Sequence, residues 1–286
     1  MKKRWNRRHI TESFVKGCMR ISFGLVAGSL ALILWTIISQ GLPALSWEMI
    51  SQAPQGGYYL GKGGGILNAI LGSLYMAGAG TLAAFILGLP IALYLETYLG
   101  ESEWGQYVRL SLDVLWGIPS IVYGVFGFTL MLAVGMRASM LGGIIVLTLL
   151  ELPIMTRAMD EVIRMMPQDL EQAALALGST RLEVALRVVT RQMLPGIITA
   201  ILLAFGRGIG DAASVLFTAG YTDRMPSSLF SPVASLPLAI FFQLSTPFAI
   251  VRQRAYAAAL ILTVIVLAVS LGSRWISGRM SKFVVK

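Results

Sequence analysis

Cysteine and histidine are nearly missing from this chain: Cys18 and His9 stand alone among 286 residues. One cysteine allows no intramolecular disulfide, and the two residues together supply no Cys/His metal cluster. Both lie in or beside the basic N-terminal stretch, so they give no nucleophile–base set, which excludes a membrane-embedded enzyme of that kind. Charge is scarce too, at 13% of residues, against about 25% in a soluble domain. Alternating segments of ~10 residues are absent, which excludes a transmembrane β-barrel. No basic patch is interleaved with aromatics and no nucleic-acid motif occurs, so the net charge of +9 is not the footprint of nucleic acid. Phosphate-cradling loops are lacking as well. Gly61-Lys62-Gly63 and Gly206-Arg207-Gly208-Ile209-Gly210 have neither the strand–loop–helix setting nor the Gly-Lys-Ser/Thr ending of a nucleotide site. Any use of ATP must come from a separate subunit, and no cofactor or metal is expected.

What the chain has is apolar length. Hydrophobic residues make up 56% and the mean hydropathy is +0.74, too much for a water-facing surface. The long apolar runs make the fold class all-α, a polytopic membrane protein of six transmembrane helices. They place the spans at about 21–40, 66–95, 110–134, 140–158, 194–219 and 255–273. The first run is longer than the apolar region of a signal peptide and no small-residue cleavage site closely follows it, so it reads as a span. Basic residues cluster before the first span (Lys2, Lys3, Arg4, Arg7, Arg8, Lys16, Arg20), between the fourth and fifth (Arg157, Arg164, Arg181, Arg187, Arg191) and after the sixth (Arg274, Arg279, Lys282, Lys286). Six spans put these stretches on one side with the loop 96–109, whereas Lys62, Arg137, Arg224, Arg252 and Arg254 scatter on the other. The positive excess predicts that both termini are cytoplasmic. The expected organisation is a basic cytoplasmic segment over 1–20, a first span and outer loop over 21–62, a core over 63–273 and a cytoplasmic tail over 274–286. Trp35, Trp47, Trp116 and Trp275 suit interface anchoring or packing.

Four features stand out against this background. Arg207 and Asp211 lie in the fifth apolar run, four apart and so on one helix face. Ionised groups at membrane depth mark a pathway by default, although a permanent pair that fixes helix packing would look the same in sequence. Glu151 sits deep in the fourth run beside Pro153, which predicts a local break, and it is placed to pair with Arg207 or with polar groups elsewhere. Asp113 lies near the cytoplasmic end of the third run, where it caps the helix or faces water. The outer stretch 221–253 contains the apolar piece 233–242, too short to span, which reads as re-entrant or interfacial. In the cytoplasmic stretch 160–193, Pro167 ends one helix and a new one begins near Gln168, with Asp169 and Glu171 favouring its first turn. Leu170, Ala173, Ala174 and Leu177 share a face, and Gly178 supplies the stop. Such a slim helix either enters a groove in a partner or packs on its own bundle.

The pattern Glu171-x-Ala173-Ala174-x-x-x-Gly178 between the fourth and fifth spans resembles the coupling-helix signature of the permease subunits of binding-protein-dependent ABC importers. The Leu-Pro pair usual in that family stands later here, at Leu194-Pro195. Further stretches are similar to the PstA-type permeases of bacterial phosphate importers. They are 63–74 leading into the second span, Asp113-Val-Leu-Trp-Gly-Ile-Pro-Ser-Ile-Val-Tyr-Gly124 in the third, and 234–241 and 246–249 in the outer loop ahead of 255–260. Arg207-Gly-Ile-Gly-Asp211 resembles the Arg-x-x-Gly-Glu element of the same branch, with Asp where Glu is usual.

The resemblance covers roughly 63–263 and implies a type I ABC importer permease (MetI-like) architecture in a bacterial inner membrane. It implies an anion pathway at Arg207 and Asp211, to which the depth of Glu151 in the fourth run adds that acid, and ATPase docking through Glu171, Ala173, Ala174 and Gly178. It also implies partners: a second related permease (PstC-like), an ATPase dimer (PstB-like) and an extracytoplasmic phosphate-binding protein (PstS-like). The expected solute is inorganic phosphate, with another oxyanion (phosphonate, sulfate or molybdate) as the alternative. Arginine can meet two phosphate oxygens at once, which lysine cannot.

Overall fold

A computed structural model describes residues 2–56 and 63–280. Lys62, Lys282 and Lys286, used above to orient the chain, lie outside the described residues, as do the side chains of Lys2, Lys3, Arg4 and Arg7. Helix α1 (Lys2–Gly41) runs unbroken through the first apolar stretch; from Arg8 to Gln40 nearly every side chain is exposed, and the helix packs on the last helix of the chain, with Gly41 against Tyr256. Helix α2 (Trp47–Ser51) is one short turn capped by Ser46, whose hydroxyl accepts the Met49 N–H at 3.1 Å. Helix α3 (Leu67–Tyr94) continues into a π-helical turn at Leu95–Leu99.

The third predicted span, 110–134, is not one helix. Helix α4 (Glu103–Gly117) and helix α5 (Ser120–Ala133) meet at 96°. Pro119 forces Ile118 into extended backbone (φ −69°, ψ 131°), which ends α4. The Leu115 carbonyl accepts both the Ile118 N–H at 3.1 Å and the Tyr123 hydroxyl at 2.9 Å, so the end of α4 is tied to α5.

Helix α6 (Met140–Arg164) begins at Ser139, whose hydroxyl accepts from Gly142 N–H, and continues as helix through Pro153. The break expected there is absent: Leu150, Glu151, Ile154 and Met155 are all buried against neighbours that hold the helix across its missing donor. Helix α7 (Gln168–Ala176) follows. Helix α8 (Arg181–Glu183), a π-helical turn at Val184–Val189 and helix α9 (Thr190–Gln192) then lead, through a 75° bend, into helix α10 (Leu194–Ile209).

Helix α10 is also shorter than predicted. It ends at Gly210, and 211–220 is irregular backbone instead of helix to 219. Sixteen residues rise about 24 Å, less than an apolar bilayer core of about 30 Å. Irregular backbone at that depth survives only inside protein, and here it has partners. Asp211 Oδ2 accepts the Ser214 N–H at 2.8 Å, the Thr218 carbonyl accepts Ser139 N–H at 2.8 Å, and the Ala219 carbonyl accepts Val233 N–H at 3.0 Å. Helix α11 (Leu236–Leu244) is the short apolar piece of the outer loop. It is buried against α3 and helix α12 (Ala249–Met280), and the Ser73 hydroxyl accepts its Leu236 N–H at 2.7 Å. The centre of the molecule is α3 on α6, with α10 laid across both. Small residues at this contact, among them Ala84, Ala200 and Ala204, let the helices approach closely, which matters where lipid removes the hydrophobic drive to associate.

Candidate functional site

Arg207 lies in the last turn of α10, about 20 Å along it by helical rise. Its Nη1 meets Asp211 Oδ1 at 3.1 Å, so the structure brings this pair together. The pair is not the wholly buried one on a single helix that the spacing predicts. Asp211 stands past the end of α10 with its side chain 4% exposed, while the Arg207 side chain is 47% exposed. The helix stops at Gly210 because the chain turns there to form the irregular segment, and Asp211 caps that turn through Ser214. Within this one chain, the guanidinium therefore lies on an open face of the helix tip and its carboxylate partner belongs to the interior.

Glu151 does not pair with Arg207. It is 0% exposed on α6, and its Oε2 accepts the Thr81 hydroxyl of α3 at 2.6 Å. The other oxygen, Oε1, has no hydrogen-bond partner among the described residues. It lies directly against Gly208 of α10, where a Cβ would overlap the carboxylate. Three central helices thus meet at one acid, and the residue next to the candidate arginine is a glycine because no side chain fits there.

At the opposite end of the bundle, Pro167 precedes α7 and Leu177 closes it. Gly178 has φ +86°, with its N–H on the Leu175 carbonyl and the Ser179 N–H on the Ala174 carbonyl, the paired bonds of a Schellman stop. The face predicted from spacing divides in two. Ala174 packs on the core cluster that includes Val184 and Val189, whereas Ala173 and Gly178 are exposed and Leu177 is 87% exposed. Glu171 is half-buried and lines a cavity of about 270 Å³ behind the helix, together with Glu96 and Arg164. The surface open to a partner is thus Ala173, Leu177 and Gly178, with Leu177 as its apolar knob.

A chain of ion pairs that the sequence reading missed ties α4 to α6. Arg109 Nε and Nη2 meet Asp160 Oδ2 and Oδ1 at 2.9 and 3.2 Å. Arg157 Nη1 reaches the same Asp160 at 2.9 Å and its Nε reaches Asp113 Oδ1 at 2.8 Å. Arg164 pairs with Glu101. Arg157 and Asp160, three apart, were the one local signal; Arg157 read in sequence only as an orienting charge and Arg109 only as the end of a loop.

Comparison with known proteins places this geometry. Residues 88–282 match the model of the binding-protein-dependent transport system inner membrane component family. The chain is 34% identical to the phosphate transport system permease protein PstA of Haemophilus influenzae, over 94% of each chain. It is 37% identical to the protein of that name from Xylella fastidiosa, over 84% of this chain and 83% of that one. Among solved structures, an inward-facing form of the MetNI methionine ABC transporter superposes with a TM-score of 0.63 at 17% identity, covering 82% of this chain and 99% of the other. The fold is that of a MetI-like type I ABC importer permease, with several spans apolar enough to cross a membrane. The chain belongs to the family of binding-protein-dependent transport system inner membrane components.

Proposed function

We propose that this chain is the permease subunit that carries inorganic phosphate through the inner membrane in an ATP-driven importer, with Arg207, Asp211 and Glu151 on the pathway. The observation that carries the reading is the match, at 34–37% identity over most of the chain, to permeases named for phosphate transport. Neither of those names points to phosphonate, sulfate or molybdate, so the other-oxyanion alternative is not favoured. The position of Arg207 supports the site. A half-exposed guanidinium at the tip of α10 faces away from its own bundle, where a second permease would complete the path. Its forked donors suit a dianion or monoanion of phosphate, and Asp211 balances the charge when no anion is there.

The complex needs partners that this chain does not contain. A PstC-like permease lines the other half of the pathway, a PstB-like ATPase dimer docks on Ala173, Leu177 and Gly178 with Glu171 and Ala174 holding the helix behind, and a PstS-like protein delivers phosphate from outside. Both termini lie in the cytoplasm with the coupling helix α7, by the charge excess of that side. The chain itself is a transport subunit; closure of the ATPase dimer pulls on α7 and turns the bundle between outward and inward states.

The test is uptake of labelled phosphate by cells lacking the chain and complemented with it, against excess sulfate, molybdate and phosphonate. Phosphate uptake resistant to those competitors is expected, and Arg207→Ala is expected to abolish it while the complex still co-purifies. Uptake that any of these competitors suppresses as strongly as unlabelled phosphate does removes the substrate assignment, and normal uptake by Arg207→Ala removes the site.

A further inference from the structure

Helix α12 carries no charged residue over 255–273. By helical rise that run covers about 28 Å, which matches an apolar bilayer core of about 30 Å. Arg274 therefore stands where hydrocarbon gives way to headgroups. Arg279 is five residues further along, but its side chain turns back: Cζ lies 4.1 Å from the centroid of the Trp275 ring, one helical turn earlier on the same face. The stack draws both guanidiniums to the level of one interfacial tryptophan.

Nothing within the chain neutralises them. The sequence holds no Asp or Glu from 249 to 286, and among the described residues neither Arg274 nor Arg279 forms an ion pair. Leading up to them is an apolar stripe. Val264, Leu267, Leu271 and Trp275 follow one another at three- and four-residue steps, and each is more than half exposed. On the opposite face Ala255 and Ser273 are buried, so the bundle holds the stripe outward along the whole run. From Val264 to Trp275 the helix rises about 17 Å, close to the depth of one leaflet of that core, about 15 Å.

Resting on the reading that the chain spans the membrane with its C-terminus in the cytoplasm, we propose that this face of α12 binds an anionic phospholipid of the inner leaflet. Its phosphate meets Arg274 and Arg279, and an acyl chain lies along Val264, Leu267 and Leu271. Two features select this occupant. The stripe matches one acyl chain in depth and ends in two forked cations at the level of the phosphate. A zwitterionic lipid brings its own cation to a place that already holds two, so net negative charge is favoured.

The test is quenching of tryptophan fluorescence in the assembled complex, reconstituted in phosphatidylcholine vesicles with a minor share of phosphatidylglycerol. One lipid or the other carries bromine on its acyl chains near the headgroup, and the signal of Trp275 is the difference between wild type and Trp275→Phe. Brominated phosphatidylglycerol is expected to quench that signal at least threefold more than the same share of brominated phosphatidylcholine. Arg274→Gln combined with Arg279→Gln should bring the ratio close to one, and raised ionic strength should lower it in the wild type. Should the double variant not assemble, each single variant carries the test by lowering the ratio.

Equal quenching by the two lipids overturns the site, as does a preference that survives loss of the arginines. A Trp275 signal that neither lipid reaches shows that a protein partner covers the face, and overturns it too. So does a preference abolished by inorganic phosphate but not by chloride at the same ionic strength, which gives the arginines to a soluble anion. Loss of the lipid preference leaves the phosphate reading standing, whereas a complex that takes up no phosphate yet keeps the preference removes that reading and not this one.

Discussion

Arg109 and Asp160 meet fork to fork between α4 and α6, below the elbow that joins α4 to α5, with both guanidinium–carboxylate contacts at or under 3.2 Å and side-chain exposures of 7% and 0%. Helix α4 leaves α5 at nearly a right angle, and this pair fastens it to α6. Removing Asp160 leaves the buried Arg109 guanidinium only its longer contact to Glu96 at 3.3 Å and the Gly100 carbonyl. Asp160→Ala is expected to destabilise the subunit by about 3–5 kcal/mol, read as a lower thermal midpoint in detergent. The double variant Arg109→Met with Asp160→Leu, which replaces the pair by apolar groups, should recover most of that loss. A double variant no more stable than Asp160→Ala would mean that the ion pair itself, and not the avoidance of a stranded charge, holds the elbow.

That pair shows where sequence reading reaches its limit. Apolar length gave six runs, and the Pro167 start and Gly178 stop of α7 were legible because both are local: one removes a donor and the other needs φ +86°. The elbow was not, because hydropathy averages across Gly117-Ile118-Pro119 and sees one span where the backbone turns by 96°. The end of α10 was hidden for the same reason: Ala212, Val215, Leu216 and Phe217 continue the apolar run through irregular backbone. Arg109 found Asp160 from 51 residues away and Glu151 found Thr81 from 70, so which acid meets which donor was settled by how α3, α4, α6 and α10 pack.

Gly178 makes its own prediction. An added Cβ meets nothing within 4 Å, so a substitution there clashes with no neighbour and its whole cost is the left-handed backbone. Gly178→Ala should cost about 1–2 kcal/mol, loosening the end of α7 and lowering ATPase co-purification roughly fivefold or more. Gly178→Asn, which tolerates that conformation better, should fall between alanine and wild type. Equal retention of the ATPase by all three would show that the Schellman stop does not shape the docking face.

Leu177 separates docking from internal packing. It is 87% exposed, so its loss leaves no cavity, and Leu177→Asp should change stability by no more than about 0.5 kcal/mol. If the knob enters a groove of the ATPase, the same change should cut association at least tenfold in a pull-down from membranes. A helix that serves only its own bundle would show neither effect, whereas Ala174, which faces the core, should show the opposite pattern: lower stability when enlarged, with docking lost only as the fold is lost.

The contact between Gly208 and Glu151 can be tested by volume, independently of charge. Gly208→Ala places a methyl group where the carboxylate lies, and such overpacking costs about 1–3 kcal/mol. Gly206→Ala, two residues away in the same helix turn, meets no atom and should melt at or above wild type, so helix propensity cannot account for a loss at 208. Glu151→Ala removes the obstacle, and the Thr81 hydroxyl freed by it can turn to a carbonyl of its own helix. Combined with Gly208→Ala, it leaves room for the new methyl. The two changes should therefore be non-additive, the double variant recovering about 1 kcal/mol or more of the loss caused by Gly208→Ala alone. Strict additivity, or a Gly208→Ala variant as stable as Gly206→Ala, would show that α10 and Glu151 do not meet at Gly208.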